Sequence, residues 1–308
     1  MRLSRREWLA TVPAVGCIAQ TIAAEGDEAE ARRRGRDLQG EFGITTGSFM
    51  RFLRSPSAQN RFDLLQLPRI MREELDMRVI DLMTATLRYT DNSYCEQLRT
   101  AAEKAGCVIT NLKMNLTGMD VGSANDELRQ RSLKAFQRAI DAAQLLGCRW
   151  VRPATTPNKP EFTRLIDGLR QLVDYAGERQ ITLLVENNGW IQREVDALPR
   201  IVAALENRVA TQPDTGNWQE AARYEGLAKA FPLAVTCDFK ALELGANGEH
   251  AAYDLRRCFD TAWQAGFRGP WCFEHFHDDL AQLFREFKWL RTTLAAWTKE
   301  NTAKDSTK

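Results

Sequence analysis

Eight short apolar runs alternate with longer amphipathic stretches along this chain. The runs are Phe42–Phe49, Arg78–Met83, Cys107–Asn115, Trp150–Ala154, Ile181–Asn188, Val209–Asp214, Leu233–Lys240 and Trp271–Phe276. Short, nearly continuous apolar runs are the pattern of strands buried on both faces. Between them apolar residues recur at helical spacing, as with Leu128, Phe136, Ile140 and Leu145 in the segment that starts at Asn125. Gly106, Gly147 and Gly266 each fall between a helix and the next strand, where glycine ends a helix in the left-handed conformation. Strands alternating with helices build βαβ units and a parallel sheet. Eight units over residues 41–298 predict an α/β fold closed as a (β/α)8 TIM barrel, whose typical size is roughly 250 residues.

Both flanks depart from this pattern. Ser4-Arg5-Arg6-Glu7-Trp8-Leu9 resembles the twin-arginine export motif, and a stretch of small and apolar residues runs on to Ala24. Residues 1–24 therefore read as a signal peptide, which implies export by the twin-arginine route to the periplasm. An amphipathic helix or a short uncleaved anchor is the alternative, and Cys17 is a weaker candidate for lipid attachment. Residues 25–40 are rich in charge and poor in aliphatic side chains, as expected of a solvated linker, and residues 299–308 read as a polar tail.

Composition narrows the classes of function. With 44% hydrophobic residues the chain has enough apolar material for one large core, and 42 basic residues against 41 acidic ones create no global field to draw in nucleic acid or an acidic membrane. Contact with a membrane is expected only through the signal peptide, and a homo-oligomer is left open. Cys95, Cys107, Cys148, Cys237, Cys258 and Cys272 show no C-x-x-C spacing, so they read as small core hydrophobes rather than metal or redox motifs.

The chemistry is concentrated at the C-terminal ends of the later runs. Glu186 closes ITLLVENN, Asp214 lies in RVATQPDTGN, Asp238 in LAVTCDFK and Glu274 in GPWCFEHF. Alternation puts Glu186 on the face of Leu184, Asp238 on that of Lys240, and Glu274 on that of Cys272; if these faces point inward, the acids share one mouth. Lys113 and Arg152 join them from strands three and four. Carboxylates crowded together repel, and a divalent cation relieves this; an all-oxygen set suits magnesium or manganese. The bland alternative makes each acid an exposed loop or capping residue, with Asp214 in P-D-T-G-N the best case. Trp190 and Trp218 follow proposed ligands and either stack on a sugar or pack helix against strand. His275 is directed away from the face of Glu274, whereas His277 lies past the strand and can bend inward; His250 reads as a solvated loop residue.

Four motifs, L-L-V-E-N-N-G, Q-P-D-T-G-N, C-D-F-K and G-P-W-C-F-E, resemble those of the xylose isomerase-like TIM barrels, the sugar phosphate isomerase/epimerase group. The resemblance covers residues 41–298. It implies one divalent cation, manganese or magnesium, held by Glu186, Asp214, Asp238 and Glu274, with Asp238 standing where the family's H-x-K-D motif has its histidine. It also implies a small-molecule sugar substrate and proton transfer through an enediolate, with Glu186, Glu274 and Lys240 as catalytic residues. Lys113, Arg152, Asn188, Trp190, Asn217 and His277 are the expected substrate contacts. Asn217 and Asn188 stand where epimerases often carry histidine. A carbohydrate-binding barrel without turnover, or a metal-dependent lyase or hydrolase on the same scaffold, remains the alternative. An apurinic endonuclease is disfavoured, because its clustered histidines and a basic groove are missing from the sequence.

Overall fold

The computed structural model describes residues 34–307 apart from Pro157, Glu243 and residues 246–248. The expected signal peptide, Cys17 and the first part of the charged linker lie outside the described residues. Strands and helices alternate eight times: β1 (Phe42–Thr45), α1 (Leu67–Leu75), β2 (Val79–Met83), α2 (Asn92–Ala105), β3 (Val108–Met114), α3 (Asp126–Leu146), β4 (Trp150–Pro153), α4 (Phe162–Gly177), β5 (Thr182–Val185), α5 (Ala197–Ala204), β6 (Ala210–Thr211), α6 (Arg223–Ala230), β7 (Cys237–Lys240), α7 (Leu255–Gln264), β8 (Trp271–Glu274) and α8 (Leu280–Asp305). All strand pairs are parallel, and β1 joins both β2 and β8.

The ring is weakest between β6 and β7. There the pairing consists of bridges at Thr211↔Ala234 and Asp214↔Asp238, with Thr215 N donating to Asp238 O and Asp238 N to Pro213 O. Pro213 has no N–H to continue a ladder, which shortens β6 to two residues against the six its sequence suggests. Asp214 lies beyond the end of β6 and still bridges Asp238 of β7.

Local chemistry fixes the helix ends. Asp91, Asn125, Asp254 and Asp279 cap α2, α3, α7 and α8 by accepting backbone N–H bonds. Gly106 and Gly147 follow α2 and α3 at φ 69° and 75°, the left-handed conformation their positions required. The six cysteines among the described residues are buried and free, as their isolated spacing suggested.

Two layers fill the barrel. The lower is apolar: Val79, Trp150, Leu184, Ala210, Val235 and Cys272 pack together, and Leu38 closes them from below. The upper is polar and includes Thr45, Asp81, Asn111, Lys113, Gln212 and Asp238, all buried. Residues 34–40, the last part of the expected linker, are mostly exposed but are anchored to the barrel. Leu38 is fully buried, Arg149 grips Asp37 through both carboxylate oxygens at 2.6 and 2.8 Å, and Gly40 N donates to Arg268 O. One leucine among charges carries the burial, which average composition hides. The polar segment from Lys299 likewise continues α8 through Asp305 and docks on α7, with Asn301 Nδ2 donating to Asp260 and Trp263 Nε1 to Asp305. Among the described residues no helix is long and apolar enough to cross a membrane.

Candidate active site

The barrel brings three of the four strand-end acids into contact range. Glu186, Asp214 and Asp238 each offer a carboxylate oxygen, and these oxygens all lie within 4.8 Å of one another. Each acid has its own cation: Arg152 Nε lies 2.6 Å from Glu186 Oε2, Lys240 Nζ 2.8 Å from Asp214 Oδ2, and Lys113 Nζ 2.5 Å from Asp238 Oδ1. The Arg152 contact lies off the N–H direction, so it is an ion pair without an aligned hydrogen bond. Glu274 joins the group through Lys240, whose ammonium is 3.4 Å from Glu274 Oε1.

The backbone sets these positions. Asp214 Oδ1 accepts from the N–H groups of Gly216 and Asn217, while Asn187 clamps the Asp214 backbone in both directions. Gly216 lies against the Lys240 stem, where an added Cβ would come within 2.5 Å of Cδ. Tyr253 OH donates to Lys240 O at 2.6 Å, tying the loop after β7 to the site. Thr215, hydrogen-bonded to Lys240 N through Oγ1, closes the same turn.

Burial dominates the electrostatics. It pushes Glu186 up to about 7, with Arg152 opposing and Asp238 adding to the shift. Burial also pushes Glu274 up to about 7, with Asp214 contributing. Asp81 rises to about 7 by burial, against the pull of Lys113. For Lys240 burial acts downward, but Asp214 and Glu274 outweigh it and hold the ammonium charged. Five acids and three cations thus share one enclosure, leaving two negative charges when all are ionised.

These residues fit a divalent cation. Oxygens up to 4.8 Å apart suit donors on opposite sides of one ion at distances of roughly 2.0–2.6 Å, and carboxylate oxygen is the donor that magnesium and manganese prefer. Glu186 Oε2 is buried with the off-axis Arg152 contact and no aligned hydrogen bond, which leaves it acceptor capacity for a further partner.

Other expected contacts are elsewhere. Asn188 is held by the loop after β4: its Oδ1 accepts from Thr155 N at 3.0 Å, and Thr155 Oγ1 donates to its backbone oxygen. Trp190 is buried beside Val185, Pro153 and Ile201, and Trp218 packs against Gly226, so both indoles serve helix–strand packing. His277 is exposed and accepts from Asp279 N at the start of α8 rather than bending inward. His275 faces away from the cluster, bonded to Ala241 O and, at 2.6 Å, to Glu286. His250 is half-buried against Tyr253.

Asp81 and Gln212 belong to the enclosure but are not strand-end acids. Gln212 Nε2 donates to Asp81 Oδ2 at 2.8 Å and approaches Asp238 Oδ2 at 3.3 Å, while its Oε1 accepts from Asn111. The signal for Asp81 was a charge in the middle of the apolar run V-I-D-L-M, which has no place in a strand unless a partner meets it.

A sequence profile of the xylose isomerase-like TIM barrel family matches residues 73–293, and the chain belongs to that family. The L-ribulose-5-phosphate 3-epimerase of Escherichia coli O157:H7 is 26% identical over 193 residues, spanning 57% of this chain and 68% of that protein. A solved L-ribulose 3-epimerase superposes with a TM-score of 0.67 at 16% identity, covering 87% of this chain and 98% of that one. A xylose isomerase-like TIM barrel protein from Mycobacterium smegmatis in complex with magnesium gives 0.58 at 20% identity, covering 83% and 97%. The two structural likenesses are likenesses of fold.

Proposed function

We propose that this chain is a divalent-metal-dependent isomerase or epimerase of a sugar or sugar derivative, working by proton transfer through an enediolate. The observation that carries the reading is the convergence of Glu186, Asp214 and Asp238 oxygens, with Glu274 joined through Lys240. The relatives named as epimerases support the reaction class, and the magnesium complex of one relative supports the metal.

Glu186, Asp214, Asp238 and Glu274 would hold a manganese or magnesium ion, which would supply Lewis-acid polarisation of a sugar carbonyl. Glu186 follows β5 and Glu274 ends β8, the strands that flank β6 and β7, and each has its pKa pushed up to about 7. A carboxyl group poised there can both take and return a proton near neutral pH. Lys240 and Arg152 place positive charge beside the developing oxyanion, and Asn217 links Glu186 to Lys240.

The test is incubation with a panel of free ketoses, ketose phosphates and oxidised sugars in deuterium oxide with manganese. Deuterium at carbon in a recovered sugar, lost in Glu186→Gln, supports the reading and counts against a hydrolase. A second reading, a carbohydrate-binding barrel without turnover, draws on the separate cation that each acid already holds. Sugar binding without deuterium uptake would favour it.

Export by the twin-arginine route to the periplasm is also proposed, on the strength of Arg5-Arg6 and the apolar stretch after them. Cell fractionation of an Arg5→Lys/Arg6→Lys variant tests it; unchanged periplasmic recovery would defeat this route.

A further inference from the structure

Lys113 starts on β3 and reaches across the lumen to β7, four strands round the ring. An ammonium has three N–H groups. One is donated to Thr45 Oγ1 at 2.9 Å, one to Asp238 Oδ1 at 2.5 Å, and Asp81 Oδ2 stands 3.5 Å away. With its side chain only 1% exposed, Lys113 has no route to water, whereas Lys240 is 13% exposed at the mouth. Burial acts to discharge Lys113, but Asp238 and Asp81 outweigh it and keep it charged.

We infer that Lys113 is the fixed counter-ion of Asp238 and sets how much negative charge the Glu186, Asp214 and Asp238 cluster presents to a cation. The inference rests on the metal-site reading above. Gln212 decides which acid receives the lysine: its Nε2 is closer to Asp81 than to Asp238, so Asp81 takes the neutral donor and Asp238 the ammonium. The other two pairs are held differently. Arg152 meets Glu186 without an aligned hydrogen bond, and Lys240 lies at the open end. Lys113 cannot move aside, because its donors are committed and its surroundings are packed. Asp238 therefore offers oxygen while its charge is cancelled within the protein. Lys113 is a positioning residue in this scheme, since it acts through Asp238.

Charge parity makes the inference testable with manganese alone, read by electron paramagnetic resonance titration of the full chain. Asp238→Asn leaves the Lys113 charge unopposed by its nearest acid, and manganese affinity should fall by about a hundredfold, the scale of one unscreened charge a few ångströms away. Lys113→Met added to Asp238→Asn restores parity and should bring affinity back to within about tenfold of the native protein. Thermal midpoints accompany each titration, and Lys113→Gln replaces the methionine variant if that one does not fold. A double variant binding no better than Asp238→Asn alone overturns the inference. So does a pattern in which the rise in manganese affinity expected of Lys113→Met is cancelled by Asp81→Asn and not by Asp238→Asn, because the lysine would then serve Asp81. A native protein that takes up no manganese overturns the metal reading and this inference together; native uptake without rescue overturns the inference alone.

Discussion

Asn217 Nδ2 donates to Glu186 Oε1 at 2.9 Å. The other end of the same amide accepts from Lys240 Nζ at 2.9 Å, and that ammonium faces Glu274. One neutral side chain thus connects the two glutamates assigned to proton transfer. An amide is suited to this place because it donates to one charged group and accepts from another of opposite sign.

Breaking that bridge should cost turnover more than metal. Asn217→Ala removes hydrogen bonds to two charged groups, each worth about 1.5–3 kcal/mol, or roughly tenfold to a hundredfold. The expected outcome is a drop of that size in kcat with manganese affinity within a few-fold of native, checked by steady-state kinetics beside a metal titration.

Removing either proton carrier has a larger effect. Glu186→Gln and Glu274→Gln should each lower the rate of deuterium exchange by about 10²–10⁴-fold, the usual contribution of general acid–base catalysis. Circular dichroism should remain native-like for both. Full exchange in Glu274→Gln would remove that residue from the reaction.

Stability should depend on pH in a direction set by three buried acids. Asp81, Glu186 and Glu274 are all raised to about 7 from ordinary values of 3.8, 4.5 and 4.5, chiefly by burial. A raised folded-state pKa gives stability that is complete below the ordinary value and lost as pH rises through the folded one. The metal-free protein should therefore lose thermal stability between about pH 4 and pH 8. Manganese at a hundred times its dissociation constant should return about 2.7 kcal/mol at the upper end. Calorimetry across that range, with and without manganese, is the check; a midpoint that climbs steadily with pH in the metal-free protein would contradict the assignment.

The lower end of the barrel has its own test. Leu38 is fully buried beneath Trp150, Leu184 and Cys272. Leu38→Ala should cost about 2–5 kcal/mol, read from urea unfolding, because a cavity replaces a packed leucine. Manganese binding by the folded fraction should be unchanged, since the apolar layer separates Leu38 from the acids.

The eight-fold alternation was legible because it is local. Strand and helix periodicities, capping residues such as Asn125 and the left-handed glycines act over a few positions, and a single chain displays them directly. Glu186, Asp214 and Asp238 were legible for the same reason, as charges at the ends of apolar runs. The sequence did not show what Asn188, Trp190 and His277 touch, because proximity in sequence to a strand end does not say which way a loop turns. Thr155 holds Asn188, the packing beside Val185 takes Trp190, and the start of α8 takes His277.

The sequence by itself determined the elements, their order and the strands that end in carboxylates. Tertiary structure alone decided which donor meets which acid: Lys113 and Asp238 are 125 positions apart, and Gln212 and Asp81 are 131. No periodicity encodes such pairs, because they exist only once ring closure brings opposite strands within the reach of one side chain and burial forces every charge there to find a partner.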